Sequence, residues 1–529
     1  MKKWTTDCLV VGGGLAGWCA AREIVNTGVH VALMHDGMGA SPWVHGINVP
    51  VLPQDSVDCF LSDTLQSGLG LSDPRLARAL CEDAPKVLET LQGMGLSFNR
   101  KGEEYQLLRP LGSSHPRVVS IGNETGVAIL GAIKRELTGR VAEFPHTRAL
   151  RLLTGPGGLQ GVLAYDARAR EWIGVNTKAV VLACGGFCGL YPFTTNKRDS
   201  GGDGPAMAYG AGAVLRDMEF IQFEPSAAVW PPQLMGTSVI TTLFFEGAVL
   251  RNNQGERFMT RYGLEAERVG KDVLARCIAA EITAGLGTEH GGVYFDATAV
   301  DVGTLERDYP MYLRRYRDVG IDLSISPVEL APAPHTSLGG VATDENGRTC
   351  VPGLFVCGES MGGLHGANRI GGSAGLETLV FGFRSGRQAA AWAKETAPMT
   401  ADIQTPISSG ASIREALIQL RTGMQKVLAE AAGPLREGPA LEKAEKTLRQ
   451  ELNEACKLRG ADSEEVFLRL RLENDLITAL MVCAAARARE ETRGCHARED
   501  FPEANKELLR VTLRKGGEGI VVAKETILG

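Results

Sequence analysis

The stretch that decides the fold lies near the start of the chain and reads Asp7-Cys8-Leu9-Val10-Val11-Gly12-Gly13-Gly14-Leu15-Ala16-Gly17. An apolar strand leads into glycines 12, 14 and 17, and an alanine-rich helix to about residue 26 and a second strand over residues 30–34 follow. Glycines remove the Cβ atoms that would keep a phosphate away, and a helix N-terminus presents free N–H groups and a positive dipole end. The stretch therefore predicts a dinucleotide-binding βαβ unit.

Two later apolar runs, residues 179–186 and 353–359, also end in glycine turns. Such runs are typical of interior strands in a parallel sheet, and ligands gather beyond the carboxyl ends of those strands. Together the three segments predict one α/β nucleotide-binding domain that is interrupted by insertions.

The predicted domain organisation follows from these interruptions. Residues 1–214 and 336–395 are the two parts of the nucleotide-binding domain, and residues 215–335 form a second domain with its own helix over residues 270–283. From Ile413 to about Arg489 the sequence is charged and helix-forming, with apolar residues spaced near 3.6. Residues 396–529 are therefore predicted to be a C-terminal helical domain and tail.

Composition excludes several classes of partner. The chain has 529 residues, and its 56 basic and 62 acidic side chains give a formal net charge of −6. A nucleic-acid-binding protein normally has a basic excess or stripe, so we expect no nucleic-acid partner. No window reaches the ~18 to 20 apolar residues that span a bilayer, so we expect no direct membrane insertion.

The cysteines indicate the compartment and the absence of a metal. The 12 cysteines are scattered along the chain, several of them within apolar runs, and no Cys-x-x-Cys pair occurs. Scattered thiols of this kind fit a reduced cytoplasmic protein. We expect no metal site and no iron–sulfur cluster in the chain itself.

Seven motifs in order carry a family resemblance. They resemble the succinate dehydrogenase/fumarate reductase flavoprotein family, which includes L-aspartate oxidase, and the match spans nearly the whole chain. Besides the N-terminal glycines, the motifs lie at residues 194–208, 218–223, 255–259, 335–340, 365–369 and 493–502.

The resemblance implies a fold and a cofactor. The fold is α/β: a Rossmann-like FAD-binding domain of the glutathione-reductase type, an inserted α+β capping domain and a C-terminal helical domain. FAD is the implied cofactor, with its diphosphate on the first glycine turn and its ring near a second helix N-terminus. The implied FAD-binding residues are Gly12, Gly14, Leu15, Ala16, Gly17, Asp36, His45, Gly46, Gly185, Asp203, Gly358, Glu359, Arg369, Ser373, Gly375 and Leu376.

Three details of the FAD site stay open or are specific to this chain. Asp36 is the acidic residue after the second strand, and either it or other groups hold the ribose. His45 either contacts the isoalloxazine or packs beside it. Ala40 occupies the position where membrane-complex members of the family carry the flavin-linked histidine, so we expect FAD to be non-covalent.

The resemblance also assigns candidate catalytic residues. Arg369 and His335 match the positions that clamp a substrate carboxylate, and a guanidinium fork suits two-point recognition of that group. Arg276 matches the family's proton shuttle, although guanidinium is a poor acid in water. Structural alternatives remain for all three: a loop histidine, a helix-surface ion pair and a glycine-loop anchor.

Departures from the family pattern bear on the substrate. Glu224 stands where the family usually has a substrate-binding histidine, and it would repel a second substrate carboxylate unless it is protonated or paired. The family's relay partners for Arg276 fall on Thr241 and Phe244. These changes predict a small carboxylate substrate other than plain succinate or fumarate.

The L-aspartate oxidase branch fits in part. Residues 114–117 and 123–126 resemble its active-site loop, but Pro110 stands where an acidic residue should meet the substrate ammonium. Glu224 is a candidate for that function from the other side.

The leading hypothesis is an FAD-dependent oxidoreductase that transfers a hydride between flavin N5 and a small carboxylate-bearing substrate. The alternatives are an electron-transfer subunit with a separate iron–sulfur or other electron-transfer partner, an L-aspartate oxidase-like amino acid oxidase, and a flavin-binding protein without activity.

Overall fold

A computed structural model gives the fold and describes residues 1–110, 112–239, 241–263, 266–398, 400–517 and 519–527. The chain forms an α/β domain, a capping unit inserted into it, and a C-terminal helical region that ends in a β-hairpin. None of the described helices combines the length and the apolar character that a membrane crossing requires.

The first part of the α/β domain opens with the predicted βαβ unit. Its elements are β1 (Lys2–Val11), α1 (Leu15–Asn26), β2 (Val31–Met34), β3 (Ile47–Asn48), α2 (Val57–Ser67), α3 (Pro74–Gly93), β4 (Arg100–Lys101), β5 (Glu104–Tyr105), β6 (Val118–Val119), α4 (Thr125–Glu136), β7 (Ala142–Phe144), β8 (Thr147–Gly155), β9 (Gly158–Asp166), β10 (Glu171–Leu182), α5 (Asp203–Gly210) and β11 (Leu215–Arg216).

The capping unit follows and has a four-stranded sheet with an apolar core of its own. Its elements are β12 (Ile221–Ala228), β13 (Val249–Arg251), α6 (Lys271–Glu281), β14 (Val293–Asp296), α7 (Val302–Asp308), α8 (Pro310–Arg317) and β15 (Val328–Ser337). Strands β12 and β15 are paired at one edge of this sheet, in the order β12-β15-β14-β13. The chain therefore enters and leaves the capping unit through two adjacent strands.

The rest of the chain completes the α/β domain and adds the C-terminal region. Its elements are β16 (Gly340–Ala342), β17 (Leu354–Val356), β18 (Met361–Gly362), α9 (Ser373–Glu395), α10 (Arg414–Ala431), α11 (Gly438–Lys457), α12 (Ser463–Ala488), β19 (Leu509–Gly516) and β20 (Gly519–Thr526). Single helical turns of the 3-10 type lie at Ser41–Trp43, Cys188–Leu190, Pro232–Leu234, Thr241–Phe245, Phe258–Arg261 and Gly358–Ser360, and a π-helical turn at Ile282–Leu286 extends α6.

The main sheet brings together the three apolar runs that the sequence singled out. Strand β1 pairs in parallel with β2 and β10, and β10 pairs in parallel with β17. Val11 is the partner of Leu182, and Leu182 is the partner of Val356. The three strands therefore end at the same edge of the sheet, as predicted.

The C-terminal tail differs from the expectation of a helical domain with a plain tail. Strands β19 and β20 form an antiparallel hairpin, and β19 also pairs with β11 of the α/β domain. Val511 and Leu513 of β19 are buried and belong to the main apolar core, which also contains side chains of α10, α11 and α12. The C-terminal region is thus packed on the α/β domain without a separate core, and the predicted domain boundaries stay a prediction.

A buried charge cluster joins the C-terminal region to the α/β domain. Arg489 lies just after α12, and its guanidinium contacts Glu219 at 2.5 Å and Glu491 at 2.7 Å. The side chains of all three are at most 2% exposed, and Phe220 lies against the face of the guanidinium. Burial raises the pKa of Glu219, while Arg489 opposes that rise. The arginine therefore compensates carboxylates that have no access to water.

We expect Arg489→Leu to lower the midpoint of thermal unfolding sharply, because removing one partner of a buried ion pair costs about 3–5 kcal/mol. The matched control is Arg514→Leu, since Arg514 forms an exposed pair with Glu525 at 3.7 Å on the hairpin. An exposed pair contributes only about 0–1 kcal/mol, so the control should unfold nearly as the wild type does. Equal midpoints for the two variants would contradict the stabilising role of the cluster.

Candidate active site

The first glycine turn has the geometry that the sequence predicted. Gly12 has a φ of +128°, and a Cβ there would lie 2.0 Å from the carbonyl oxygen of Ala183 at the end of β10. Helix α1 starts after Gly14 without a side-chain cap, and the N–H of Leu15 donates to Ser41 Oγ at 2.8 Å. The N–H groups of the next two helical residues have no acceptor within the described part of the chain. They are free to bind a diphosphate.

The turns after the other two strands also contain glycines with positive φ. Gly358 has a φ of +63°, and a Cβ there would lie 2.9 Å from Ala16 Cβ on α1. Gly185 has a φ of +77°, and no atom lies within 4 Å of the position its Cβ would take. An extended ligand that runs along the sheet edge would pass these two turns.

A second helix N-terminus lies across the sheet edge from the first. Helix α9 begins at Ser373 after Gly372, which has a φ of +84°. Asn48 Nδ2 donates to Ser373 Oγ at 3.0 Å and to the carbonyl of Gly371 at 2.7 Å, while Asn48 Oδ1 is buried without a donor in the described residues. An unpartnered buried acceptor beside a helix N-terminus suits the polar edge of a flavin ring.

Glycines near α9 leave room only for backbone. A Cβ on Gly375 would lie 2.7 Å from Val44 Cγ1, and one on Gly46 would lie 2.5 Å from Val118 Cγ1. Leu376 is buried in the core behind the helix. His45 is exposed, and partial burial and the positive charge of Arg315 lower the pKa of its imidazole. Its two predicted roles, flavin contact or packing, stay open.

The two aspartates of the predicted FAD set share one partner. Arg148 donates to Asp203 at 2.9 Å and to Asp36 at 3.1 Å. Asp203 also accepts from Asn474 of α12 at 2.8 Å and is buried, whereas the side chain of Asp36 is 38% exposed. Asp36 is therefore open to a ribose, and Asp203 joins α5 to the C-terminal region. The FAD-binding role of each stays a prediction.

Glu359 lies at the end of β17 among protein donors. Its Oε1 accepts from the N–H of Ser337 at 3.0 Å and from Asn196 at 3.4 Å. Burial raises the pKa of the Glu359 carboxyl to about 7, against the hydrogen bond from Ser337. Glu359 lies just beyond the strand end, and its role as a ligand contact stays a prediction.

Arg369 is held beside the capping unit by a neutral partner. Its Nε donates to Gln222 Oε1 at 3.1 Å, and Gln222 Nε2 donates back to the Arg369 carbonyl at 3.2 Å. Burial lowers the pKa of the guanidinium, with nearby acidic groups acting against it. No carboxylate of the described residues lies within salt-bridge distance of Arg369, and Glu359, Glu377 and Glu224 act on its charge only from further away.

His335 lies on β15 and is neutral. Its Nδ1 is 2.9 Å from Thr195 Oγ1, and its carbonyl accepts from Asn196 at 2.8 Å. Burial lowers the pKa of the imidazole to about 4, with Arg369 and Lys271 adding to the effect and Glu224 opposing it. His335 is thus a neutral hydrogen-bonding group at pH 7, and it supplies no positive charge to the site.

Arg276 lies on α6 with its side chain half-buried. Within the described chain its guanidinium makes no ion pair and no hydrogen bond. Arg276 and Arg369 both lie close enough to Cys495 to act on the pKa of that thiol, although burial dominates there and raises it. The two arginines therefore share one region between the capping unit and the α/β domain.

The sequence analysis missed the partner of Glu224. Glu224 is buried on β12, its Oε1 accepts from Ser226 at 2.9 Å, and Lys271 Nζ lies 2.5 Å from its Oε2. Burial would raise the pKa of this carboxyl, but Lys271 and the hydrogen bond from Ser226 lower it overall. Glu224 is therefore ionised and paired, so the repulsion expected of an isolated carboxylate is cancelled. A lysine that opens a helix gives no sequence signal for this contact.

The structure locates Phe244, one of the two positions where the family has relay partners, and the loop that resembles the L-aspartate oxidase active-site loop. Phe244 is buried in the apolar core of the capping unit, 5.4 Å from Phe295 between ring centroids, and carries no proton. In the loop over residues 112–117, Arg117 is completely buried and pairs with both Asp55 and Asp63.

His115 of this loop belongs to the one group of potential metal ligands that we find among the described residues. Asp55, Cys59 and His115 have ligand atoms within 4.8 Å of one another. Both oxygens of Asp55 accept from Arg117, at 2.6 and 2.8 Å, which disfavours a cation there. That the chain binds no metal stays a prediction.

Comparisons with family models and curated proteins cover nearly the whole chain. Residues 7–374 match the model described as FAD binding domain, and residues 421–524 match fumarate reductase flavoprotein C-term. The chain is 35% identical over 530 residues to a subunit of the fumarate reductase (CoM/CoB) of Methanothermobacter marburgensis, with 96% of each protein covered. It is 32% identical over 509 residues to L-aspartate oxidase of Caulobacter vibrioides, with 93% of each covered.

Solved structures have the same fold. The Mycobacterium smegmatis Sdh1 complex contains a chain that matches with a TM-score of 0.89 at 27% identity, covering 100% of this chain and 94% of that one. A variant of Escherichia coli quinol fumarate reductase FrdA matches with a TM-score of 0.88 at 24% identity, covering 99% and 97%. The chain belongs to the succinate dehydrogenase/fumarate reductase flavoprotein family and is an FAD-dependent oxidoreductase.

Proposed function

We propose that this protein transfers a hydride between flavin N5 and a carbon atom of a small carboxylate. One observation carries the proposal: Arg276 and Arg369, both half-buried, lack a carboxylate partner among the described residues and share one region beside the predicted flavin site. Burying a charge without a partner is costly, and an anionic ligand would offset the partial cost at both arginines, so their arrangement favours such a ligand.

Each residue around the substrate would have a separate role in binding or proton transfer. Arg369 would bind one carboxylate through its fork, and the hydrogen bonds with Gln222 would fix the plane of that fork. Thr195 faces Nδ1 of His335, so Nε2 is the ring nitrogen that would face the substrate. When bound, FAD supplies the hydride chemistry. Arg276 would hold or move the proton at the carbon that reacts.

A second candidate function is that of one component in a larger electron-transfer enzyme. The relative from Methanothermobacter marburgensis is named as one subunit of its fumarate reductase. In this chain Met38 and Trp43 are 48% and 53% exposed beside the segment that packs on α9, where a partner protein could reach the flavin. Purified alone, a complete enzyme should turn over a carboxylate with a dye, whereas a single component should need its iron–sulfur partner.

The state of the cysteines supports a cytoplasmic location. All 12 cysteines belong to the described residues and carry free thiols. Burial raises the pKa of most of them, which suits inert thiols in a reducing compartment.

We expect anaerobically photoreduced holoprotein to be reoxidised by at least one member of a panel of small unsaturated carboxylates. In Arg369→Gln the KM for that compound should rise about 10- to 100-fold, because a hydrogen bond to a charged group is lost. The flavin absorbance band gives both the FAD content and the reoxidation rate. Arg307→Gln, at a surface pair in the capping unit, is the control. Failure of the whole panel would refute the proposed function.

We expect Arg276→Gln to lower kcat about 10²- to 10⁴-fold while KM stays close to the wild-type value, because the group acts on the proton in the transition state. The measurement is single-turnover reoxidation at saturating substrate, with Arg307→Gln again as control. A rate within about fivefold of the wild type would remove Arg276 from the chemical step.

A further inference from the structure

The two members of the ion pair formed by Glu224 and Lys271 differ in their exposure to solvent. Glu224 is 4% exposed, and each of its oxygens already accepts a hydrogen bond, one from Ser226 and one from Lys271. The side chain of Lys271 is 36% exposed, and an ammonium group has three N–H donors. One donor goes to Glu224, so the others point to solvent or to a ligand. The accessible member of the pair is therefore the lysine.

The pair lies next to the groups that would bind the first carboxylate. Glu224 is the register partner of Ala333, two residues before His335 on the adjacent strand. Lys271 and Glu224 both act on the pKa of His335, as Arg369 does. Lys271 and Arg276 lie on the same helix, five residues apart in sequence. Lys271 is thus placed to meet the far end of a ligand that Arg369 holds.

Charge decides what that far end can be. The lysine and the glutamate cancel, and His335 is neutral, so these three groups add no net charge beside Arg276 and Arg369. An ammonium group at the far end would meet the exposed N–H donors of Lys271, which cannot accept a hydrogen bond from it. It could not take the place of Lys271 beside Glu224, because Glu224 is almost fully buried. A carboxylate would accept from those donors at little cost, because the lysine is already in place.

We propose that Lys271 is a specificity-determining residue that binds the second carboxylate of a dicarboxylate substrate, and that Glu224 is the positioning residue that holds the Lys271 ammonium in the site. This inference rests on the proposed function. In the alternative from the sequence, Glu224 itself contacts a substrate ammonium. In this proposal, Lys271 makes the contact with that end of the substrate.

The test compares fumarate with monomethyl fumarate as oxidants of the photoreduced holoenzyme, using the ratio of their kcat/KM values. In Lys271→Met the preference for fumarate should fall about 10- to 100-fold, because a charge-assisted hydrogen bond to the second carboxylate is lost. Lys271→Arg should restore much of the ratio. In Glu224→Gln the ratio should also fall, but by less than in Lys271→Met, because the ammonium remains but loses the carboxylate that holds it in the site.

Two controls separate the possible failures. Lys446→Met removes a lysine from an exposed pair with Glu442, 2.8 Å apart on α11, and should leave the ratio unchanged. If neither oxidant reacts with wild-type protein, binding of malonate is followed by the change it causes in the flavin absorbance spectrum, and Lys271→Met should lose that change. The inference about Lys271 would then survive, and the proposed function would still be decided by the whole panel of carboxylates.

Two results would overturn the inference. One is a Lys271→Met variant that keeps both the fumarate preference and the malonate spectrum. The other is a Glu224→Gln variant that loses reduction of its flavin by aspartate while Lys271→Met keeps it, since that pattern would make Glu224 the receptor of a substrate ammonium.

Discussion

The parallel pairing of β1, β10 and β17 is the constraint on which the rest of the structure depends. Their last residues stand in one row, Val11 beside Leu182 and Leu182 beside Val356, although they are far apart in the sequence. Each strand then turns through a glycine that has positive φ or no space for a Cβ. Glycines also allow helices α1 and α9 to approach closely. A Cβ on Gly382 or Gly386 of α9 would lie 2.7 or 2.4 Å from a backbone oxygen of α1. Two helix N-termini thereby face one sheet edge.

The substrate site follows from where the capping unit is inserted. The chain leaves the α/β domain on β12 and returns on β15, and these two strands pair with each other. Their register sets Glu224 and His335 on neighbouring strands, and Gln222 at the start of β12 reaches Arg369 in the α/β domain. Helix α6 packs on this strand pair and brings Lys271 and Arg276. The proposed binding groups thus come from both sides of the junction, so a change in the angle between the two units would alter their spacing.

The sequence predicted the parts that local chemistry determines. The glycine spacing predicted the first turn, and helix α6 lies at residues 271–281 within the predicted 270–283, because caps, periodicity and glycine act over a few residues. Lys271, the neutral state of His335 and the burial of Arg117 between two aspartates depend on contacts across tens or hundreds of residues, for which one sequence holds no signal. The C-terminal hairpin was missed because its exposed charged residues dilute the apolar alternation of β19 and β20.

Pairing also explains how a carboxylate can occupy a site that must attract anions. An isolated Glu224 at this depth would either take up a proton or weaken the field of Arg276 and Arg369. Lys271 removes both effects: the ion pair has no net charge, and its cationic end is the more exposed one. Seen from the pocket, the pair presents hydrogen-bond donors, as a histidine at position 224 would. A buried carboxylate and a partly exposed ammonium on separate elements thus provide together what one residue could provide alone, and the electrostatics of the site stay favourable to an anion.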